Sequence, residues 1–117
     1  MLMFVVLEGC ADAPTQAYSG AALPSDQIAI VKGHAGLGGS DLETVDGKEI
    51  DADEATVRPG PHRASVRSFS CTCAAAFVAE AGHTYEIQTI CADKRVRIAD
   101  YREGRAVNTN EVAADCQ

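Results

Sequence analysis

From residue 27 to residue 107, apolar and polar side chains alternate in short runs, each broken after a few residues by a turn signal. Alternation at period two puts successive side chains on opposite faces of a strand, so each run reads as a strand with one buried face. Residues 27–32, with β-branched Ile28, Ile30 and Val31, form the first run. Residues 41–45 alternate as well, and Asp46-Gly47, a favoured two-residue hairpin turn, leads back into 48–50. Residues 55–58 make a short strand ended by Pro59-Gly60-Pro61. In 62–69, Ala64 and Val66 take one face while Arg63, Ser65 and Arg67 take the other. Residues 72–80 carry Phe77 and Val78 and stop at Ala81-Gly82-His83. The clearest strand is 84–91, with Tyr85, Ile87, Thr89 and Cys91 on one face. Asp93-Lys94 turns into 95–101, and Glu103-Gly104-Arg105 turns again toward Ala106-Val107. The remainder to Gln117 is ambiguous: residues 110–115 could make a helical turn, with Cys116 pinning the end. The fold class expected is all-β: a small antiparallel β-sandwich or open barrel of about seven to eight short strands.

Composition adds that the core is thin. Apolar residues make up 46% of the 117, but much of that is Ala and Val, aromatics are only 5%, and there is no Trp. The chain suits one domain of modest core. Seventeen acids against ten bases give a net charge of −7, which argues against nucleic acid as a partner.

The N-terminus bears on location. Residues 1–7 are apolar but far short of the ~20 needed to span a bilayer. Leu7-Glu8-Gly9-Cys10 resembles the lipobox at the end of a bacterial lipoprotein signal, with Glu8 standing where that pattern has a small residue. The resemblance implies lipid attachment at Cys10, a signal-peptide remnant at 1–9 and a start upstream of this chain. The competing reading is a first strand carrying a structural cysteine. Residues 10–24 read as tether and lead-in, and 25–117 as a single β domain.

Setting Cys10 aside leaves Cys71, Cys73, Cys91 and Cys116, an even number suited to a disulfide framework in an oxidising compartment. Cys71 and Cys73 point to one face of a strand, which disfavours a bond between them. Cys71–Cys91 with Cys73–Cys116, or the swapped pairing, both fit. Either would tie the C-terminal tail to the body.

Val45-Asp46-Gly47-Lys48, then the stretch 57–66 with its Pro59-Gly60-Pro61 turn, then Ala81-Gly82-His83-Thr84-Tyr85, together resemble small PEGA-like surface modules of bacterial lipoproteins. That resemblance covers about residues 41–90 and implies an extracytoplasmic β module without known catalysis. It transfers no functional residues.

Candidate chemistry is sparse. His34, His62 and His83 share no short segment, and Cys71-Thr72-Cys73 has one intervening residue where zinc pairs usually have two to four. Thiol-redox pairs likewise usually have two. Seven acids between Asp41 and Glu54 lack the glycine and closing Glu of a calcium loop, and read as a solvated hairpin. Arg95 and Arg97 share an exposed face with Ala99, and are expected to balance charge within the molecule. No catalytic residue, metal or cofactor is expected. The function expected is a non-enzymatic, lipid-anchored cell-envelope protein, structural or interacting, whose partners are the membrane through its anchor and an envelope protein or glycan. The alternative is a periplasmic metal-binding or thiol-redox protein using Cys71, Cys73 and nearby histidines.

Overall fold

A computed structural model describes residues 14–35 and 39–117. Cys10 and the expected signal remnant at 1–9 lie outside the described residues, as do Gly36, Leu37 and Gly38.

The strands are β1 (Thr15–Gln16), β2 (Ala29–Gly33), β3 (Asp41–Val45), β4 (Lys48–Glu49), β5 (Glu54–Val57) and β6 (Gly60–Arg67), followed by β7 (Thr72–Ala79), β8 (His83–Ile90), β9 (Arg95–Arg102), β10 (Arg105–Ala113) and β11 (Asp115–Cys116). Eight of these have four to nine residues; β1, β4 and β11 have two each. They form a six-stranded sheet in the order β1-β5-β2-β8-β9-β10 and a five-stranded sheet in the order β11-β7-β6-β3-β4. The chain is an all-β sandwich.

The turns follow the sequence closely. Asp46 and Gly47 both have positive φ (51° and 81°), as the two-residue turn between β3 and β4 requires. Glu103 and Gly104 repeat the geometry between β9 and β10 at 53° and 78°. The β6–β7 hairpin is in register over eight pairs, from Gly60 opposite Ala79 to Arg67 opposite Thr72.

Three features depart from the expected picture. The six-stranded sheet is mixed: β2 runs parallel to β8, and β1 parallel to β5, so Thr15–Gln16 of the expected tether join the sheet. Residues 110–115 are extended rather than helical. Val112 pairs with Val96, the Ala114 N–H donates to the Lys94 carbonyl, and Cys116 is opposite Cys73. Pairing with β9 and β7 overrides the local preference of a polar, alanine-rich stretch. A 3₁₀ turn at Ser25–Gln27 replaces the start of the expected first strand, which begins at Ala29.

The two inner faces bury small side chains against each other. Val31, Val57, Ile87 and Val96 of the larger sheet meet Val45, Val66, Cys73 and Ala75 of the smaller. Phe77 and Tyr85 supply the buried aromatic surface, with ring centroids 5.5 Å apart. On the faces away from the core lie Arg63 and Arg67 of β6 and Arg97 of β9, in agreement with the alternation. A core of this composition buries little apolar area per residue, which raises the value of cross-links.

Candidate functional site: the four-sulfur cluster

The cysteines converge at the end of the sandwich where β6 turns into β7. That turn is set by Ser68: its N–H donates to the Cys71 carbonyl at 2.8 Å, and its Oγ accepts the N–H groups of Ser70 and Cys71 at 3.3 and 3.4 Å. Serine closes such turns because its short hydroxyl reaches its own backbone two or three residues on. Phe69 at the tip is fully exposed. The turn delivers Cys71 just before β7, two residues from the buried Cys73, so both sulfurs take one face.

Cys71 bonds to Cys91, which opens the 3₁₀ turn Cys91–Asp93 after β8, with Cα atoms 5.9 Å apart. This bridge joins the two sheets. Cys73 bonds to Cys116, directly opposite on β11, with Cα atoms 4.0 Å apart. Thr72 and Gln117 exchange backbone hydrogen bonds of 3.0 and 2.8 Å beside it, so the tail is held covalently and by the ladder. Of the two pairings open in the sequence, the structure takes Cys71–Cys91 with Cys73–Cys116. The bridges touch: Cys71 Sγ lies 3.4 Å from Cys73 Sγ.

Polar groups crowd the cluster. Ser68 Oγ is 3.3 Å from Cys91 Sγ, and Thr89 Oγ1 is 3.9 Å from it. Thr89 is itself held by buried Ser40, whose Oγ accepts the Thr89 N–H at 3.0 Å. Arg63 and Lys94 line a groove with Cys116. Sequence reasoning missed Ser68, Ser40 and Thr89. Ser68-x-x-Cys71 carried a turn signal that could have found the first; Ser40 and Thr89 meet only through the fold.

The histidines do not join the sulfurs. His62 is opposite Phe77, four residues along β7 from Cys73, and His83 begins the strand that Cys91 follows. Each imidazole faces a carboxylate instead: His62 with Asp46 at 2.5 Å, His83 with Asp100 at 2.7 Å, and His34 with Glu86 at 3.5 Å. The second nitrogen of His62 lies 2.6 Å from the Arg58 carbonyl, so that ring is fixed at both edges. Two groups among the described residues have metal-ligand geometry, each with its atoms within 4.8 Å of one another: Cys71, Cys73 and Cys116, and Glu80, His83 and Asp100.

Asp46 closes the β3–β4 turn onto β6. Burial opposes its ionisation, but the His62 hydrogen bond, the Arg63 N–H at 2.9 Å and the His62 charge outweigh it and hold its carboxyl below the ordinary range. A depressed carboxyl contributes stability that is present above the unfolded pKa and lost as pH falls through the folded one. Asp46→Asn is therefore expected to melt below the wild type at pH 5, with the gap closing below about pH 4. Thermal melts at pH 5 and pH 3 measure it; a gap unchanged between them contradicts the assignment. Asp53 is the opposite case. Its burial dominates over the hydrogen bond from the Leu42 N–H, and raises its pKa.

Part of each charged strip is paired within the molecule. Arg95 and Arg97 both reach Glu111 of β10, at 3.8 and 3.2 Å. Glu43 of the acidic hairpin meets Arg67 at 3.1 Å. No protein-family model, curated protein or solved structure matches the chain.

Proposed function

We propose that the chain is a non-enzymatic module of the bacterial cell envelope, anchored through lipid on Cys10 and serving a structural or interaction role outside the cytoplasm. The observation that carries this reading is the pairing of the cysteines. Cys71, Cys73, Cys91 and Cys116 take one another as partners, which leaves Cys10 as the odd cysteine for a different use. Two bridges suit an oxidising compartment, where a chain with a thin core gains most from cross-links. The His62 and His83 rings act as strand-end partners of carboxylates, which suits a scaffold. The PEGA-like turn pattern points the same way, and the exposed faces offer surface to an envelope protein or glycan.

Lipid would supply the membrane affinity, since a chain of net charge −7 is repelled by anionic headgroups. Each buried methylene contributes about 0.8 kcal/mol, so two or more acyl chains anchor firmly. The test is mass spectrometry of the protein expressed from its full gene in a bacterial host, with fractionation of the Cys10→Ala variant. The expected result is a diacylglyceryl-type mass increment on Cys10 in the membrane fraction, and release of the variant to the soluble fraction. An unmodified Cys10 in a protein that fractionates identically with and without the substitution overturns the reading.

A further inference from the structure

We propose that the reduced form of the four-sulfur cluster binds one soft divalent cation of the zinc class through Cys71, Cys73, Cys91 and Cys116, and that disulfide formation expels it. The inference rests on the sulfur geometry alone, so it stands or falls independently of lipid at Cys10.

Three of the four sulfurs already lie close enough together to serve one cation. Zinc–sulfur bonds of ~2.3 Å place neighbouring sulfurs of a tetrahedron about 3.8 Å apart. Cys71 and Cys73, which are not bonded to each other, already lie 3.4 Å apart, and Cys116 lies within 4.8 Å of both. Cys91, the covalent partner of Cys71, stands outside that group of three and would swing in toward Cys73 and Cys116 as the fourth ligand once its bond is broken. Once the two bonds are broken, each sulfur is free to change rotamer. The Ser68 turn still fixes Cys71, while β11 keeps only its two-residue ladder to β7, and the cation would take over from the bridge in holding it there. The one-residue spacing of Cys71 and Cys73 is no obstacle here. On an extended chain that spacing aims both sulfurs at one face, while the longer spacings of zinc knuckles serve tight loops.

The surroundings suit thiolates. Four thiolates around a divalent cation leave a local charge of −2; Lys94 borders the groove that contains Cys116, as do Arg63 and Asp115, which pair with each other. The Ser68 hydroxyl stands 3.3 Å from Cys91 Sγ, within reach to donate to a sulfur that carries charge, and Thr89 Oγ1 lies 3.9 Å away. Such outer contacts orient metal ligands and tune their basicity.

The conversion balances. Two equivalents of a dithiol reductant turn the two disulfides into four thiols, themselves becoming disulfides. One cation then displaces four protons. In reverse, two equivalents of an oxidising disulfide re-form Cys71–Cys91 and Cys73–Cys116, take up four protons as thiols and release the cation. The cation would replace both cross-links with a single one, so the chain keeps its closed end in either redox state.

The experiment uses the whole chain, reduced with a phosphine under argon and titrated with Co²⁺. The expected result is saturation at about one equivalent, with thiolate-to-cobalt charge-transfer absorption in the near ultraviolet and the intense red-region bands of a tetrahedral site. One equivalent of Zn²⁺ should bleach them. Oxidation of the zinc form should release the metal as both bridges return. Cys116→Ser should weaken binding by at least about tenfold, and His83→Ala should leave it unchanged. If the reduced chain loses its β circular dichroism, cobalt should restore it together with the bands. The proposal is overturned if neither appears, if the bands are those of a six-coordinate oxygen and nitrogen site, or if binding survives Cys116→Ser and is lost with His83→Ala. That last pattern would place the metal at Glu80, His83 and Asp100.

Discussion

Replacing Cys73 and Cys116 together by alanine is expected to lower stability by about 4 kcal/mol, a fall in melting temperature on the order of 15 °C. The bridge spans 43 residues, and the entropy it removes from the unfolded chain grows with the logarithm of that span. The shorter Cys71–Cys91 loop of 20 residues gives about 3 kcal/mol by the same reasoning. The two variants differ in kind as well as size. Without Cys73–Cys116, β11 is held by two residues of ladder, and the amides of Thr72 and Gln117 should lose protection from hydrogen exchange. Without Cys71–Cys91 those amides stay protected, while contact between the sheets loosens at the Cys91 turn. Calorimetry gives the first comparison and exchange the second. A shift of only a few degrees for the Cys73/Cys116 variant would mean that the core holds the tail without help.

Gly33→Ala is expected to cost about 3 kcal/mol or more, the upper end of what overpacking does. The cause is close approach of backbone rather than an unusual dihedral. A Cβ on Gly33 would lie 2.1 Å from the Ser40 carbonyl oxygen and 2.9 Å from both the Leu42 nitrogen and Asp53 Oδ1. Backbone atoms of the neighbouring strand cannot swing aside, so β2 and the entry to β3 must separate. Gly104→Ala is the control. It has φ 78° and nothing within 4 Å, so it costs only the left-handed penalty of about 1–2 kcal/mol. Denaturant melts of both variants settle the order; equal losses would refute the close approach.

Most of the sandwich was legible because its central strands are half-buried, and half-burial writes itself as alternation. Ala64 and Val66 against Arg63 and Arg67 is the plainest case. Gly33 was less legible: it heads the glycine-rich stretch 33–39, yet it is the buried last residue of β2. A glycine gives no periodicity, and the reason for it lies on a segment seven residues away. The stretch through 110–115 was ambiguous because β10 is exposed on both faces except at Val112, so it has no apolar period to display. The parallel neighbours β2 and β8 were hidden because a strand's pattern records its burial and not its partner's direction.

The candidate site divides the same way. Sequence placed Cys71 and Cys73 on one face and named Cys91 and Cys116 as their partners, but it could not choose the pairing, since both sulfurs of β7 face the same way. The choice comes from the chain path: Cys116 lies opposite Cys73 on β11, and Cys91 leaves β8 beside the Ser68 turn. The contact between the two bridges is a product of that path and had no sequence signature.

Four cysteines close one end of the sandwich as two particular bridges, and peptide mapping decides whether they do: the protein is purified from its host without reductant, free thiols are blocked and the linked peptides are identified by mass spectrometry. The expected result is Cys71 linked to Cys91, Cys73 linked to Cys116, and none of the four blocked. Four blocked thiols, or the pairs Cys71–Cys116 and Cys73–Cys91, would contradict it.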